Sequence, residues 1–275
     1  MTVFMKLSVC VPTYNHGKYI GQMLEGALMQ QTSFAFEIVV GDDGSLDHTQ
    51  DVIRDYMKKY PGRIRAFLHP ENQGPSYPRE FAGRNNVLGL LKACKGEYVA
   101  MCEGDDYWTD PNKLQKQVDF LDQNPDYSIS HHNVQVIYED ESASHYFNEL
   151  TQSRTSHLED LLADKWFMAT GSWVYRNYFL TEDFVPWHAL AASGDWALLI
   201  QIVSRGKIGY MPDVMGVYRK HVGGLSNVHT HANRWFLQNR IEMFENVDQW
   251  LNNDYHDIIA RTIAPYKSKL LFDCL

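Results

Sequence analysis

A chain of 275 residues, 44% hydrophobic and 21% charged, has the apolar material to bury the core of one large α/β domain, with or without an appended helical subdomain. A formal net charge of −9 argues against a nucleic-acid-binding surface, which is ordinarily basic, but not against a phosphate-bearing ligand whose charge a divalent cation offsets. No run approaches the roughly 20 apolar residues of a membrane span, the first residues lack a signal-peptide pattern, and Cys10, Cys94, Cys102 and Cys274 show no CxxC spacing. The expectation is a reduced cytoplasmic protein without a transmembrane segment, which leaves room for peripheral association at the inner face of a membrane.

Residues 7–11 form a short apolar run stopped by Pro12 and predict a buried strand. Ile20, Met23, Leu24, Ala27 and Leu28 follow at helical spacing, and residues 37–40 give a second buried strand ended by Gly41. Val52, Ile53, Tyr56, Met57 and Tyr60 mark a second helix, with Ser45 or Asp47 as N-cap. Residues 64–68 predict a third strand, Val87, Leu88 and Leu91 a third helix, and residues 98–102 a fourth strand. Beyond these, Leu114, Val118 and Leu121 suggest a helix, and residues 127–138 alternate as a long strand. Residues 139–156 read as a polar loop, 197–203 as a helix and 214–219 as a strand. From Ala232 onward the spacing is helical, with Pro265 expected to break or bend the segment. No linker composition interrupts the chain, so one domain over residues 1–226 is expected, with a helical extension over 227–275 packed on it.

Strands alternating with helices of this length imply βαβ units and a mostly parallel sheet flanked by helices. Ligands of such sheets bind beyond the carboxyl ends of the strands. Three polar clusters fall there: Thr13-Tyr14-Asn15, Asp42-Asp43-Gly44-Ser45 and Glu103-Gly104-Asp105-Asp106. Adjacent carboxylates are costly to hold together unless something cationic compensates, and Mg²⁺ or Mn²⁺ takes such oxygens together with those of phosphates. His131 and His132 lie in a strand pattern that points neighbours to opposite faces, so they read as structural.

Val11-Pro12-Thr13-Tyr14-Asn15, Val39-Val40-Gly41-Asp42-Asp43-Gly44-Ser45 and Glu103-Gly104-Asp105-Asp106, in that order, resemble the family 2 glycosyltransferases. Asn72-x-Gly74, Gly83-Arg84-Asn85 and Tyr218-Arg219-x-His221 add to the likeness, which is strong over about residues 5 to 110 and thinner to residue 226. The resemblance implies a GT-A fold (Rossmann-like) and inverting, metal-dependent transfer of a sugar from a nucleotide-sugar, expected to be a UDP-sugar. The implied acceptor is a saccharide or lipid-linked saccharide, in bacterial surface polysaccharide synthesis, and the implied cofactor is Mn²⁺ or Mg²⁺. It places Thr13 and Asn15 at the nucleoside, Asp43 at the base with Asp42 beside it, and Arg84 near the base or diphosphate. Glu103, with Gly104, takes the first position of the Asp-x-Asp motif, where the family has Asp. Asp105 and His221 become the metal ligands, and Asp106 stands behind them or faces the donor sugar. Asp195 falls where the family has its general base, with Gly194 in place of the usual Glu. It is also placed to cap the helix that follows. The alternatives are a nucleotidyltransferase, for which the glycine-rich basic phosphate loop is missing, and a noncatalytic relative in which Glu103 and Gly194 mark decay.

Overall fold

The computed structural model describes residues 5–74, 83–140, 142–224 and 234–272. The expected boundary between 226 and 227, the helix start at Ala232 and Cys274 lie outside them. In chain order the elements are β1 (Leu7–Thr13), α1 (Ile20–Leu28), β2 (Phe36–Asp42), α2 (Thr49–Lys59), β3 (Ile64–Leu68), α3 (Arg84–Ala93) and β4 (Tyr98–Met101). Next come β5 (Tyr107–Trp108), α4 (Lys113–Gln123), β6 (Tyr127–Tyr138), β7 (His145–Tyr146), β8 (Thr155–Ser156), α5 (Leu158–Leu162) and β9 (Val174–Arg176). The last are α6 (Gly194–Val203), β10 (Lys207–Lys220), α7 (Arg234–Trp250) and α8 (His256–Phe272).

The strands form one sheet in the order β3-β2-β1-β4-β9-β6-β10-β5, with β7 on β6 and β8 on β10. β1 pairs parallel with both β2 and β4, and β2 with β3. β9 then enters antiparallel between β4 and β6. The period of two along each inner strand sorts side chains between two apolar layers. Leu7, Val9 and Val11 face α1, α2 and α4, whereas Cys10 and Val39 face α3 and α6. Ile241, Phe244 and Val247 of α7 and Ile259 and Ile263 of α8 belong to that second layer, so the C-terminal helices share the core of the sheet.

Several sequence expectations shift. His48, not Ser45 or Asp47, takes the N-cap position of α2. The Asp47 carboxylate accepts from the Thr49 N–H at 2.9 Å and the Gly17 N–H at 2.9 Å, while the Ser45 N–H donates to Asp42 at 2.9 Å. The region 139–156 carries β7 and β8, two residues each, too short to show a period. The strand expected at 214–219 is β10, which starts at Lys207. Bulges around residues 211–216 hide its alternation. α8 runs through Pro265 without a break. Pro265 is solvent-exposed, so water can hydrate the carbonyl one turn back that loses its N–H partner.

His131 and His132 are both fully buried. His131 sits between Phe167 and Tyr210, neither ring nitrogen has a hydrogen-bond partner, and burial lowers its pKa to about 3. A histidine kept neutral in the fold but free to protonate near pH ~6.5 when unfolded costs stability as pH falls through that value. The loss is about 1.4 kcal/mol per pH unit until the folded pKa is reached. His131→Leu is therefore expected to show a shallower fall of the urea midpoint between pH ~6.5 and ~4 than wild type. Parallel curves for the two proteins would remove this role.

Candidate active site

β2, β1 and β4 lie side by side and point the same way, so the loops leaving them open onto one face. With strands about 4.8 Å apart, the ends of β2 and β4 stand roughly 10 Å from each other across β1. Thr13, the last residue of β1, pairs with Asp42, and its carbonyl accepts from the Asp43 N–H at 3.0 Å. On the other side the Pro12 carbonyl accepts from the Gly104 N–H at 3.0 Å. The two loops press so closely that a Cβ on Gly104 would lie 2.4 Å from Thr13 Oγ1, which explains the glycine.

Each carboxylate here has a distinct environment. Asp42 is saturated by its own turn: besides Ser45 it accepts from Gln50 Nε2 at 2.6 Å. Asp43 takes the Asn72 side-chain amide at 3.0 Å on one oxygen and the Gln73 N–H at 2.8 Å on the other. It is buried, and desolvation raises its pKa. Asn15, at φ 56°, fastens the β1 loop to the β2 loop, accepting from the Leu46 N–H at 2.8 Å. Thr13 Oγ1 is buried without a hydrogen-bond partner.

Beyond β4, His221 Nε2 lies 3.0 Å from Asp105 Oδ2, and His16 Nε2 lies 3.7 Å from the same oxygen. Candidate ligand atoms of these three residues all fall within 4.8 Å of one another. Burial would raise the Asp105 pKa, but the His221 bond and the nearby His16 outweigh it and leave it below the usual range. Desolvation lowers the His16 pKa and so favours a neutral imidazole. Arg219 secures the arrangement. Its N–H donates to Asp106 Oδ1 at 2.8 Å, its Nε to the Asp105 carbonyl at 3.0 Å, and its guanidinium lies 4.8 Å over the Tyr19 ring. Asp106 itself is buried, and burial first, then the charges of Asp105 and Glu103, pushes its pKa up.

Asp195 is the second residue of α6, and its Oδ1 accepts from the Trp196 N–H at 2.8 Å. The residue is exposed, although protein atoms crowd its carboxylate enough to desolvate it in part. Desolvation there raises its pKa, while the charges of Arg240 and Arg84 oppose the rise, and access to water limits it. Glu103 feels both Asp105 and Asp195: burial first, and then those two charges, lift its pKa to about 8. Asp195 therefore shares an electrostatic environment with the Glu103–Asp105 loop. Arg84 is buried, and its Nη1 donates to the Ala189 carbonyl at 2.6 Å while Nη2 donates to that of Ala191.

Thr13, Glu103, Gly104, Asp105, Asp106 and His221 are thus gathered at the ends of β1 and β4, with Asp42 and Asp43 at the neighbouring end of β2. Sequence reasoning passed over His16. Its only signal was its place in the Thr13–Gly17 turn, because the partners that give it meaning come from distant loops. Among the described residues no helix is long and apolar enough to cross a membrane.

The family model described as Glycosyl transferase family 2 matches residues 8–199. An uncharacterized protein of Mycobacterium tuberculosis is 37% identical over 219 residues, 80% of this chain and 60% of its own. The poly(ribitol-phosphate) beta-N-acetylglucosaminyltransferase TarS of Staphylococcus aureus is 35% identical over 120 residues, 43% of this chain and 19% of its own. The crystal structure of TarS residues 1–349 with UDP-GlcNAc superposes with a TM-score of 0.65 at 21% identity, covering 96% of this chain and 73% of that one. The mannosyltransferase PcManGT of Pyrobaculum calidifontis, in complex with GDP-Man and Mn²⁺, gives a TM-score of 0.58 at 17% identity over 90% of this chain and 65% of that one. These likenesses place the fold in the GT-A class. The chain spans about 60% of the length of its mycobacterial relative.

Proposed function

The chain belongs to glycosyltransferase family 2, and from that premise we propose that it moves a sugar from a UDP-sugar to an acceptor hydroxyl, with a divalent metal and with inversion at the anomeric carbon. The observation that carries this reading is the His16–Asp105–His221 cluster at the end of β4, across β1 from Asp43 and within electrostatic reach of Asp195 through Glu103. The donor set fits a cation: an ionised carboxylate, a neutral imidazole, and ligand atoms already close together. Two imidazoles with one carboxylate suit Mn²⁺ better than Mg²⁺, which prefers oxygen. When bound, such a metal offsets the charge that develops on the departing nucleoside diphosphate.

The chain's own residues would act as follows. Asp43, already polarised by Asn72 and Gln73, accepts a hydrogen bond from the uracil. The unpartnered Thr13 hydroxyl, with Asn15, borders the nucleoside, and Asp42 supports from its turn. Glu103 and Gly104 face the ribose side, and Asp106 stands behind the metal ligands or faces the donor sugar. Arg84 braces the loop before α6, sets its charge near Asp195 and stays the basic residue on the side of the base or diphosphate. With Oδ1 taken by the Trp196 N–H, Asp195 Oδ2 is the oxygen left to receive the acceptor proton. We take the acceptor to be a saccharide or lipid-linked saccharide, in the synthesis of bacterial surface polysaccharide at the inner face of the membrane. TarS, named for a beta-N-acetylglucosaminyl transfer, makes UDP-GlcNAc the first donor to try.

The test is a panel of UDP- and GDP-sugars with Mn²⁺, read as release of the nucleoside diphosphate. Release of UDP that stops in EDTA is expected, whereas neither UDP binding nor release from any donor would leave a noncatalytic relative. Asp43→Ala is expected to weaken UDP binding by roughly 1–3 kcal/mol, the value of a hydrogen bond to a charged group. Calorimetry giving unchanged affinity would exclude Asp43 from the base.

A further inference from the structure

The turn that leads into α6 is held from two sides. From α3, Arg84 donates to the carbonyls of Ala189 and Ala191. From α7, the Asn239 amide takes the alternate positions: Nδ2 donates to the Leu190 carbonyl at 2.8 Å, and Oδ1 accepts from the Ala192 N–H at 2.6 Å. Asp195 follows three residues later. The C-terminal part of α6 is fixed by the core through Leu198, Leu199, Ile202 and Val203. In its first turn Trp196 and Ala197 are buried as well, but Ser193 occupies the N-cap position without a side-chain capping bond, so the chain entering the helix is held by the turn before it. The next residue of α7 adds a second hold. Arg240 lies 4.1 Å over the Trp196 ring, is paired with Asp164, and its charge favours the ionised form of Asp195. α7 lies beyond residue 199, where the family match ends.

We propose that Asn239 is a positioning residue for Asp195: α7, through the paired hydrogen bonds of one side-chain amide, sets the 190–192 turn and so aims the carboxylate at the acceptor hydroxyl. This rests on Asp195 being the base. The chemistry requires an amide, because the site needs one donor and one acceptor side by side. Aspartate could accept from Ala192 but would set its other oxygen against the Leu190 carbonyl. The charged groups that bear on Asp195 are Arg240 from α7, Arg84 from α3 and Glu103 from the loop after β4.

The experiment compares Asn239→Ala, Asn239→Asp, Asp195→Asn and the double variant Asn239→Ala/Asp195→Asn in the whole chain. The substrate is the UDP-sugar selected by the donor panel, with Mn²⁺, and UDP affinity and hydrogen exchange of residues 189–196 are followed alongside. Asn239→Ala should lower kcat about ten-fold with donor KM and UDP affinity nearly unchanged, since a small misplacement of a reacting group is costly. Exchange across 189–196 should quicken, and Asn239→Asp should behave alike, which keeps the test open if the alanine variant folds poorly. Within Asp195→Asn the same alanine change should cost no more than about two-fold, because a base that is gone cannot be misaimed. A full loss persisting in that background would overturn the proposal, as would wild-type kcat in both Asn239 variants while Asp195→Asn is crippled. Wild-type kcat in Asp195→Asn would instead strike at the base reading itself.

Discussion

Asp195→Asn is expected to lower kcat by roughly 10²-fold or more while leaving UDP affinity nearly unchanged. A hydroxyl is a poor nucleophile and must lose its proton as it attacks, and the Trp196 N–H occupies Oδ1 of Asp195, which leaves Oδ2 to take that proton. Asparagine keeps the size, the oxygen that accepts from Trp196 and much of the capping ability, but cannot take a proton at neutral pH. Because UDP would contact the ends of β1, β2 and β4 and not α6, the donor side should not notice the change. A variant that unfolds, with wild-type turnover in its folded fraction, would reduce Asp195 to a cap.

Asp105→Asn is the second large effect, and EDTA should reproduce it in the wild-type chain. The Asp105 carboxylate lies between two imidazoles, and its pKa stays below the usual range despite burial, so it carries a full negative charge at neutral pH. Neutralising it removes the only carboxylate of the His16–Asp105–His221 cluster while leaving a side chain that can still meet His221. Loss of one group that offsets charge in the transition state costs roughly 10²–10³ in kcat. The fold should survive, because Arg219 holds this loop by the Asp105 backbone carbonyl and by Asp106. Equal turnover in EDTA and in Mn²⁺ would refute the metal reading.

The parallel half of the fold was legible because strands buried on both faces read as unbroken apolar runs. β1, β2, β3 and β4 each fall within two residues of the expected bounds. The long β6 was found with both ends correct, since twelve residues leave room for a pattern. β5, β8 and β9 span two or three residues, and strands that short have no period to detect. The polar clusters were legible because their order along the chain maps onto adjacent strand ends. What escaped were roles set by contacts across long sequence separations. The expectation that put Arg84 near the base or diphosphate gave no sign that two of its donors grip the turn before α6. Asn239 looks like any polar residue on a helix until the turn it holds is seen.

The most direct measurement is the configuration of the anomeric carbon in the transferred product, read from proton NMR coupling constants. With one carboxylate on the acceptor side and the nucleoside diphosphate leaving from the opposite face, an α-linked donor should give a β-linked product with no covalent sugar intermediate. An α-linked product would contradict single displacement with Asp195 as base.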